Sequence, residues 1–402
     1  MVKGGERFGI TVKGKSVVET RYRKGVPREF AKAHPKPEAA RVAFDKRVRL
    51  KLGEGFVHVL PAEQVEPGEL RFECSAPGGG GGGVLDLSND GRFVAAAEVE
   101  HEARGCRVTV FDTSTGAATV ALERPRSANQ TFVHAALFDA TAASLIVQLN
   151  TETLRIDLAS KKSHSLANYR EHSTSHFNPF VVQPAMDAAR RRCVVLQAGN
   201  LVRVLDLETE RTVHDFSTAS PTTECRGLAL SPSGKKLALY RPSRGVVYGH
   251  EDALSDTSSV VEVYDVDSGK RLASHDFKMK LGQVGFTPEE DGLVLTWDYA
   301  QGPVAYGLPE FDERWRFEDA FRDDRLATAY AWEWSVRGKS RWLAVGGDVL
   351  RLFDGAKKKA RPVELPALKA FSGHRVQRLK FSADGESLAV WAQGITSVFR
   401  VR

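Results

Sequence analysis

The stretch Val84-Leu85-Asp86-Leu87-Ser88-Asn89-Asp90-Gly91 places an apolar segment directly before a run of small and polar residues. Leu228-Ala229-Leu230-Ser231-Pro232-Ser233-Gly234 has the same order, and Leu379-Lys380-Phe381-Ser382-Ala383-Asp384-Gly385 repeats it again near the other end of the sequence. Ser, Asx, Pro and Gly favour the backbone of a tight turn between two strands. The pattern therefore predicts a recurring strand-turn-strand unit.

A further alternating strand ends each unit at an acidic residue, as in Val108-Thr109-Val110-Phe111-Asp112 and Val261-Glu262-Val263-Tyr264-Asp265. Weaker copies at residues 135–157, 181–206, 284–307 and 330–354 bring the number of units to seven. The strand ends are roughly 42 to 59 residues apart, close to the period of a four-stranded blade. Because one unit is too small to bury its apolar faces alone, we expect a mainly β chain that forms a seven-bladed β-propeller.

The repeats resemble WD-repeat and YncE-like propeller blades over about residues 69–402. The best match extends from Ser372-Gly373-His374 to Phe381-Ser382-Ala383-Asp384-Gly385. The family's Trp-Asp ending is missing, because Phe111, Tyr264 and Phe353 stand where Trp would be. The resemblance implies that these aromatic residues fill the core between blades, and it does not transfer the function of any one blade.

The seventh unit has only three strands before the sequence ends, so it needs a strand from elsewhere to complete its sheet. Glu69-Leu70-Arg71-Phe72-Glu73-Cys74 alternates suitably, and we expect a closing strand at about residues 69–74. The predicted organisation is a basic domain at residues 1–62, a linker at 63–83 that contains this strand and the Gly-rich segment at 78–83, and the propeller at 84–402.

Charge is distributed unevenly along the chain. Residues 1–60 contain 15 Lys and Arg against 6 Asp and Glu, a balance of +9, whereas the whole chain carries +6, so the remainder carries −3. This asymmetry predicts a basic module that meets an acidic partner, attached to a nearly neutral body. The alternative is a surface that is merely well solvated.

The first 62 residues predict a small α+β domain. Phe8-Gly9-Ile10-Thr11-Val12 and Ser16-Val17-Val18-Glu19-Thr20 form a hairpin pattern, a helix opens at Pro37-Glu38, and Phe56-Val57-His58-Val59-Leu60 returns as a strand.

This order, with Arg7-Phe8, the turn at residues 20–25 and the opening Glu38-Ala39-Ala40, resembles a WGR domain. Arg23 and Gly25 match the motif's Arg and its later Gly, whereas Arg21 and Tyr22 replace Trp and Gly. In poly(ADP-ribose) polymerases this domain contacts DNA ends, so the resemblance implies a nucleic-acid contact.

The residues themselves also indicate a nucleic-acid-binding surface. Clustered cations neutralise phosphates, and an exposed aromatic side chain can stack on a base. The candidate DNA- or RNA-binding residues are Arg21, Tyr22, Arg23, Lys24, Arg28, Arg47, Arg49 and Lys51. The alternative is that these side chains only solvate a small domain.

No cofactor or metal site is predicted. The four cysteines are scattered without a CxxC pair, and the only close histidine pair, His172 and His176, lies in a polar stretch with no helical pattern. No run of about 18 apolar residues and no signal segment is present, which favours a cytoplasmic protein without a membrane partner.

The expected function is that of a non-enzymatic interaction protein whose propeller docks a protein partner. Trp332 and Trp334 are candidate protein-binding residues, and the alternative for them is a place in the blade core. No nucleophile elbow such as GxSxG occurs. The alternative function is a propeller enzyme, of hydrolase or oxidoreductase type, with its site at the central channel.

Overall fold

The computed structural model describes most of the chain, with gaps between several strands. The described residues are 1–4, 6–23, 25–75, 84–99, 105–125, 133–168, 182–197, 201–219, 225–242, 258–297, 303–316, 331–335, 342–346, 350–354, 362–363 and 376–401. Lys24, the Gly-rich segment at 78–83, the His172 and His176 pair, residues 372–375 and most of the insertion at 241–259 lie outside them.

The N-terminal part is an antiparallel sheet packed against one helix. Its strands, in sheet order, are β1 (Val2–Lys3), β2 (Glu6–Lys13), β3 (Ser16–Arg23) and β4 (Val26–Ala33). The helix α1 (Pro37–Gly53) has Pro in its first turn, where the missing N–H costs no hydrogen bond. Its residues Ala40 and Leu52 are buried, and it contacts β2 and β3.

Strand β4 has no counterpart in the sequence-based prediction. All eight of its residues are exposed, so it has no buried apolar face whose alternation would identify it as a strand. The turn expected at residues 20–25 is also shorter than expected, because β3 continues to Arg23 and β4 begins at Val26. Cross-strand pairing with β3, which cannot be read from local residues, explains the strand.

After a short strand β5 (His58–Val59), a 3₁₀ turn (Ala62–Gln64) and β6 (Leu70–Ser75), the chain forms consecutive antiparallel sheets. The first sheet consists of β7 (Val84–Leu87), β8 (Phe93–Val99), β9 (Cys106–Asp112) and β10 (Ala118–Arg124). The second consists of β11 (Val133–Phe138), β12 (Ser144–Leu149), β13 (Glu152–Asp157) and β14 (Ser163–Asn168). The third consists of β15 (Ala185–Met186), β16 (Arg192–Leu196), β17 (Leu201–Asp206) and β18 (Arg211–Ser217).

The remaining sheets follow the same order. The fourth consists of β19 (Gly227–Leu230), β20 (Lys236–Pro242), β21 (Ser259–Asp265) and β22 (Arg271–Phe277). The fifth consists of β23 (Leu281–Phe286), β24 (Gly292–Trp297), β25 (Val304–Gly307) and β26 (Glu313–Arg316). The sixth consists of β27 (Ala331–Trp334), β28 (Trp342–Gly346), β29 (Leu350–Asp354) and β30 (Pro362–Val363).

The last sheet combines strands from distant parts of the chain. β31 (Val376–Phe381), β32 (Ser387–Ala392) and β33 (Ile395–Arg400) are joined by β6, which pairs antiparallel with β33, and then by β5. The alternating segment near residue 70 therefore lies as the fourth strand of this sheet. Because β5 follows the helix of the N-terminal part, one continuous sheet links that part to the ring.

An apolar cluster lies between each sheet and the next, and one lies between the last sheet and the first. The last of these clusters brings Trp391 and Phe72 together with Leu87 and Phe111. The described sheets are therefore arranged as a ring that hides the faces no single sheet could hide alone. The prediction of a mainly β chain built from propeller-like sheets is confirmed.

Candidate functional site

A cavity of about 330 Å³ lies on the axis of the ring and is lined by the first strand of every described ring sheet. Each first strand is followed by a buried Ser, Thr or Asp, and in six of the seven sheets this residue opens a described turn. The residue two positions before that polar residue faces the cavity in all of them. These seven lining residues are Asp86, Leu137, Ala185, Ala229, Gly285, Glu333 and Lys380.

Asp86 is completely buried and is held by an arginine from another sheet. Arg190 donates to both carboxylate oxygens of Asp86, with 2.9 Å from Nη2 to Oδ1, and the backbone N–H of Phe138 donates to Oδ2 at 2.7 Å. Arg190 also donates to the carbonyl oxygens of Leu87, at 2.7 Å, and Phe138, at 2.9 Å. The ion pair thus fastens the first three sheets together at the cavity.

Burial alone would lower the pKa of Arg190, but the charge and hydrogen bonds of Asp86 raise it, with a smaller contribution from Glu333. Glu333 itself forms an ion pair with Lys380 of the neighbouring sheet, at 2.6 Å between Oε1 and Nζ. Both side chains are partly exposed. The carboxylates of Asp86 and Glu333 are therefore both engaged in ion pairs, which is an arrangement suited to positioning and recognition.

Trp332 and Trp334, the candidate protein-binding residues, lie between the fifth and sixth sheets. Their exposed fractions are 4% and 6%, and both border the cavity. Trp332 packs beside Gly285, and Trp334 meets Trp315 edge-on at 5.9 Å between ring centroids. The indole N–H groups of Trp332 and Trp334 are buried and have no hydrogen-bond partner in the described structure.

On the N-terminal sheet, Glu19 brings two of the candidate cations together. Its carboxylate accepts hydrogen bonds from Nη2 of Arg21 on the same strand and from Nη2 of Arg47 on α1, both at 3.1 Å. Burial would raise the pKa of Glu19, but the hydrogen bonds from Arg47 and Arg21 hold it below its ordinary value. The two arginines therefore lie at one place on the surface, although they come from different elements.

The other candidate residues do not all share that surface. Lys51 is turned inward, with its Nζ 4.8 Å from the ring centroid of Phe8 and in an ion pair with Glu54 at 2.5 Å. Arg49 lies on an exposed position of α1. The residues on the hairpin formed by β3 and β4 are Arg21, Tyr22, Arg23 and Arg28, all of which are exposed.

The sequence analysis did not single out several residues of these sites. Phe30 on β4 is 51% exposed, and the guanidinium of Arg21 lies 5.0 Å from its ring centroid. Arg190, Glu333 and Lys380 were not recognised as parts of the cavity wall. For Glu333 and Lys380 the signal was present, because both stand two positions before a turn-opening serine, but only an alignment of the seven turns would reveal it.

Comparisons with known proteins point to the fold. A chain of the crystal structure of a mitotic checkpoint complex superposes with a TM-score of 0.57 and 17% sequence identity, covering 86% of this chain and 99% of that chain. At this identity the likeness concerns the fold alone, and it supports a β-propeller fold here. No protein-family profile matches this sequence, and no curated protein matches it.

Metal ligands and membrane-spanning helices are two other features to consider in the described residues. No group of three or more His, Cys, Asp or Glu side chains there is placed to hold a metal ion. Within the same residues, no helix has the length and apolar character needed to span a bilayer.

Proposed function

We propose that this chain is a non-enzymatic interaction protein, in which a seven-bladed propeller docks a protein partner and the basic N-terminal domain engages an acidic target. The observation that carries the proposal is the cavity shared by all the first strands, in which the carboxylates of Asp86 and Glu333 are engaged in ion pairs and that of Asp187 accepts backbone N–H groups. A general acid or base would need a carboxylate free to exchange a proton with a substrate.

The size of the cavity supports a protein partner. About 330 Å³ is at the small end of the range for ligand pockets, which suits one inserted side chain or chain end better than a large cofactor. The matched solved chain also comes from a protein complex. We propose that the partner inserts a side chain between the Glu333–Lys380 pair and the indole N–H of Trp332.

Affinity capture with quantitative mass spectrometry tests the propeller surface. The bait is the full chain, compared with Glu333→Lys/Lys380→Glu, which reverses the pair, and with Lys162→Glu/Lys235→Glu, which alters exposed lysines in turns. A protein retained about tenfold less by the reversed pair and equally by the turn variant supports the proposal. Equal recovery of every bound protein by all three baits contradicts it.

We further propose that residues 1–62 are a WGR-like domain, followed by a linker at 63–83 and the propeller at 84–402. The four-stranded sheet packed against α1 supports a compact α+β unit. We also propose a cytoplasmic location, which is supported by four buried cysteines that form no disulfide with one another.

Nucleic acid is the second candidate target of the basic domain. Phe30 is exposed with the guanidinium of Arg21 over its ring, so an aromatic side chain with a cation lies on one face of the sheet, as in proteins that bind single strands, and Tyr22 is exposed on the opposite face. Fluorescence anisotropy of the full chain with labelled 20-nucleotide single-stranded DNA, duplex DNA and RNA at two salt concentrations tests this candidate. Binding that falls with salt and is lost in Arg21→Ala/Arg23→Ala supports it, and no binding at low salt removes it.

A propeller enzyme is the alternative reading. It would require catalytic groups contributed to the channel by several blades. The ion pairs of Asp86 and Glu333 favour the interaction role, and Trp332 and Trp334 remain candidate protein-binding residues next to them.

A further inference from the structure

The edge strand β4 of the N-terminal sheet is long and fully exposed. β4 is the last strand of that sheet, is eight residues long, and has every residue exposed. Val26 and Phe30 are 61% and 51% exposed. A long edge strand with exposed apolar side chains offers unpaired backbone groups to another strand.

The outer strands of the ring sheets differ from β4 because they contain bulges. The outer strands β10, β14, β18, β22 and β26 each carry an extra residue that shifts the register against the neighbouring strand. Such bulges interrupt the ladder and discourage a further strand from pairing. By contrast, β4 pairs with β3 in unbroken register from Ala33 opposite Ser16 to Val26 opposite Arg23. Bulges therefore interrupt these five outer strands of the ring, whereas β4 is a regular strand.

The register shows which backbone groups of β4 face outward. The N–H of His34 donates to the carbonyl oxygen of Lys15 at 2.8 Å, in the register of the β3–β4 ladder. Because bonded and non-bonded pairs alternate in an antiparallel ladder, the even-numbered residues of β4 bond to β3. Glu29, Ala31 and Ala33 then direct their N–H and C=O groups outward. Pro27, which lacks an N–H, also occupies an outward position and costs the existing ladder no hydrogen bond.

The side chains on one face of β4 determine which charge a strand paired with its open edge would need. Arg28, Phe30 and Lys32 share a face, because they alternate along the strand. Arg21 lies opposite Arg28 and adds a third cation to this face, where it pairs with the one carboxylate opposite Phe30, that of Glu19. Residues 13–36 contain eight Lys and Arg against two Asp and Glu. The face complements a strand with acidic, apolar and acidic residues at alternate positions.

We propose that β4 captures an acidic, extended polypeptide segment of a partner protein as an added strand of the N-terminal sheet. This inference rests on the proposed function, because it narrows the acidic target of the basic domain to a polypeptide. The outward N–H and C=O groups of Glu29, Ala31 and Ala33 provide main-chain affinity, and the pattern of Arg28, Phe30 and Lys32 provides specificity. A nucleic acid has no main chain that matches such a ladder.

A peptide-binding assay on the full chain tests backbone pairing. The probe is a fluorescein-labelled nine-residue peptide. Its odd positions are Glu and Val in turn, and its even positions are Thr. The comparison peptide has the same sequence and is N-methylated at alternate amides. Ala31→Pro removes an outward N–H without removing a bond to β3. We expect Ala31→Pro and the N-methylated peptide each to weaken binding by about tenfold, while the unfolding midpoint of Ala31→Pro stays at the wild-type value.

A pair of charge variants separates the cations of β4 from overall charge. Arg28→Glu/Lys32→Glu should weaken binding of the unmodified peptide by at least about tenfold. The matched control, Lys162→Glu/Lys235→Glu, makes the same change of net charge on exposed turns of the ring, and it should change binding by less than about twofold.

The remaining outcomes overturn the inference in distinguishable ways. Equal binding of the two peptides excludes strand addition, and dimerisation of the full chain that is lost in Ala31→Pro, without peptide binding, assigns β4 to a second copy. Binding of the 20-nucleotide DNA without peptide binding overturns this inference and leaves the proposed acidic-target function in place. If neither probe binds at low salt, both fail.

Discussion

Arg190 of the third sheet and Asp86 of the first form a two-pronged ion pair inside the wall of the central cavity. Arg190 has a left-handed backbone, with φ of 55°, at the turn position where the first, fourth and last sheets have Gly91, Gly234 and Gly385. A non-glycine residue there costs free energy, which the hydrogen bonds of the guanidinium offset. The pair joins three sheets at one point.

Arg190→Met should lower the free energy of unfolding by about 3–5 kcal/mol, because it leaves the buried charge of Asp86 unpaired. Urea unfolding followed by tryptophan fluorescence measures the change. Arg191→Met, an exposed neighbour in the same turn, is the control and should stay within about 0.5 kcal/mol of the wild type. The double variant Arg190→Met/Asp86→Leu should recover part of the loss, and a single variant as stable as the wild type would contradict this account.

Gly285→Ala should disturb the wall of the cavity where the fifth and sixth sheets meet. A Cβ at Gly285 would approach Cη2 of Trp332 within 2.3 Å, so the indole must move. Overpacking of this kind costs about 1–3 kcal/mol, and a shift in tryptophan emission should accompany it. Gly53→Ala, where a Cβ meets nothing within 4 Å, serves as the control. An unchanged emission spectrum of Gly285→Ala would count against this packing.

Gly116→Ala should weaken the contact between the N-terminal part and the ring. The residue lies in a turn of the first sheet with φ of 75°, and an added Cβ would approach side-chain atoms of Val57, Val2 and Val59 within 2.6–2.9 Å. Hydrogen exchange of β1 and β5 should therefore become faster. Gly14→Ala imposes a similar left-handed backbone with no atom within 4 Å, so it isolates the steric effect. Equal exchange in the two variants would contradict the contact.

Burial raises the pKa of Glu73 on β6 to about 7, with a smaller opposing effect from its hydrogen bond with Ser397. A carboxyl group whose pKa is raised by folding favours the native state in its protonated form, so its stability contribution falls as pH rises from about 4.5 to about 7. Glu73→Gln should therefore equal the wild type near pH 4.5 and exceed it in unfolding free energy at pH 7.5. Glu63→Gln, at an exposed position, should show no such divergence.

His58 lies opposite Glu73 on β5 and responds in the opposite direction. Burial lowers its pKa to about 4, so its contribution to stability is lost as pH falls from about 6.5 to about 4. Arg49 and Asp45 of α1 also act on Glu73, the first lowering and the second raising its pKa. A stability difference for Glu73→Gln that grows toward acid pH would refute the assignment.

The repeat could be predicted because the turns carry local chemistry. Ser-Pro-Ser-Gly at residues 231–234 and Ser-Ala-Asp-Gly at 382–385 specify a turn by themselves, and the alternation near Phe72 identified a strand without its partner. The sequence signal for the corresponding turn in the third sheet was weak, because Arg190 stands where other copies have Gly. The arginine at this position is explained by its ion pair with Asp86, which is 104 residues away along the chain.

The candidate surfaces were harder to predict for a similar reason. β4 carries no buried face, so neither its existence nor the exposed position of Phe30 follows from periodicity. The clustering of Arg21 with Arg47 depends on Glu19 between a strand and a helix. Lys51 counted as a surface cation in the sequence, but tertiary packing placed its ammonium group against Phe8 and Phe56.

The closing sheet joins segments made at very different times during translation. Ser397 of β33 reaches Glu73 of β6 across 324 positions of sequence, so β6 leaves the ribosome long before its partner exists. During that interval β5 is the only neighbour in its sheet that has already been synthesised. The N-terminal domain is thus placed to cover one edge of β6 during synthesis, and the ring can close only after β33 has been made.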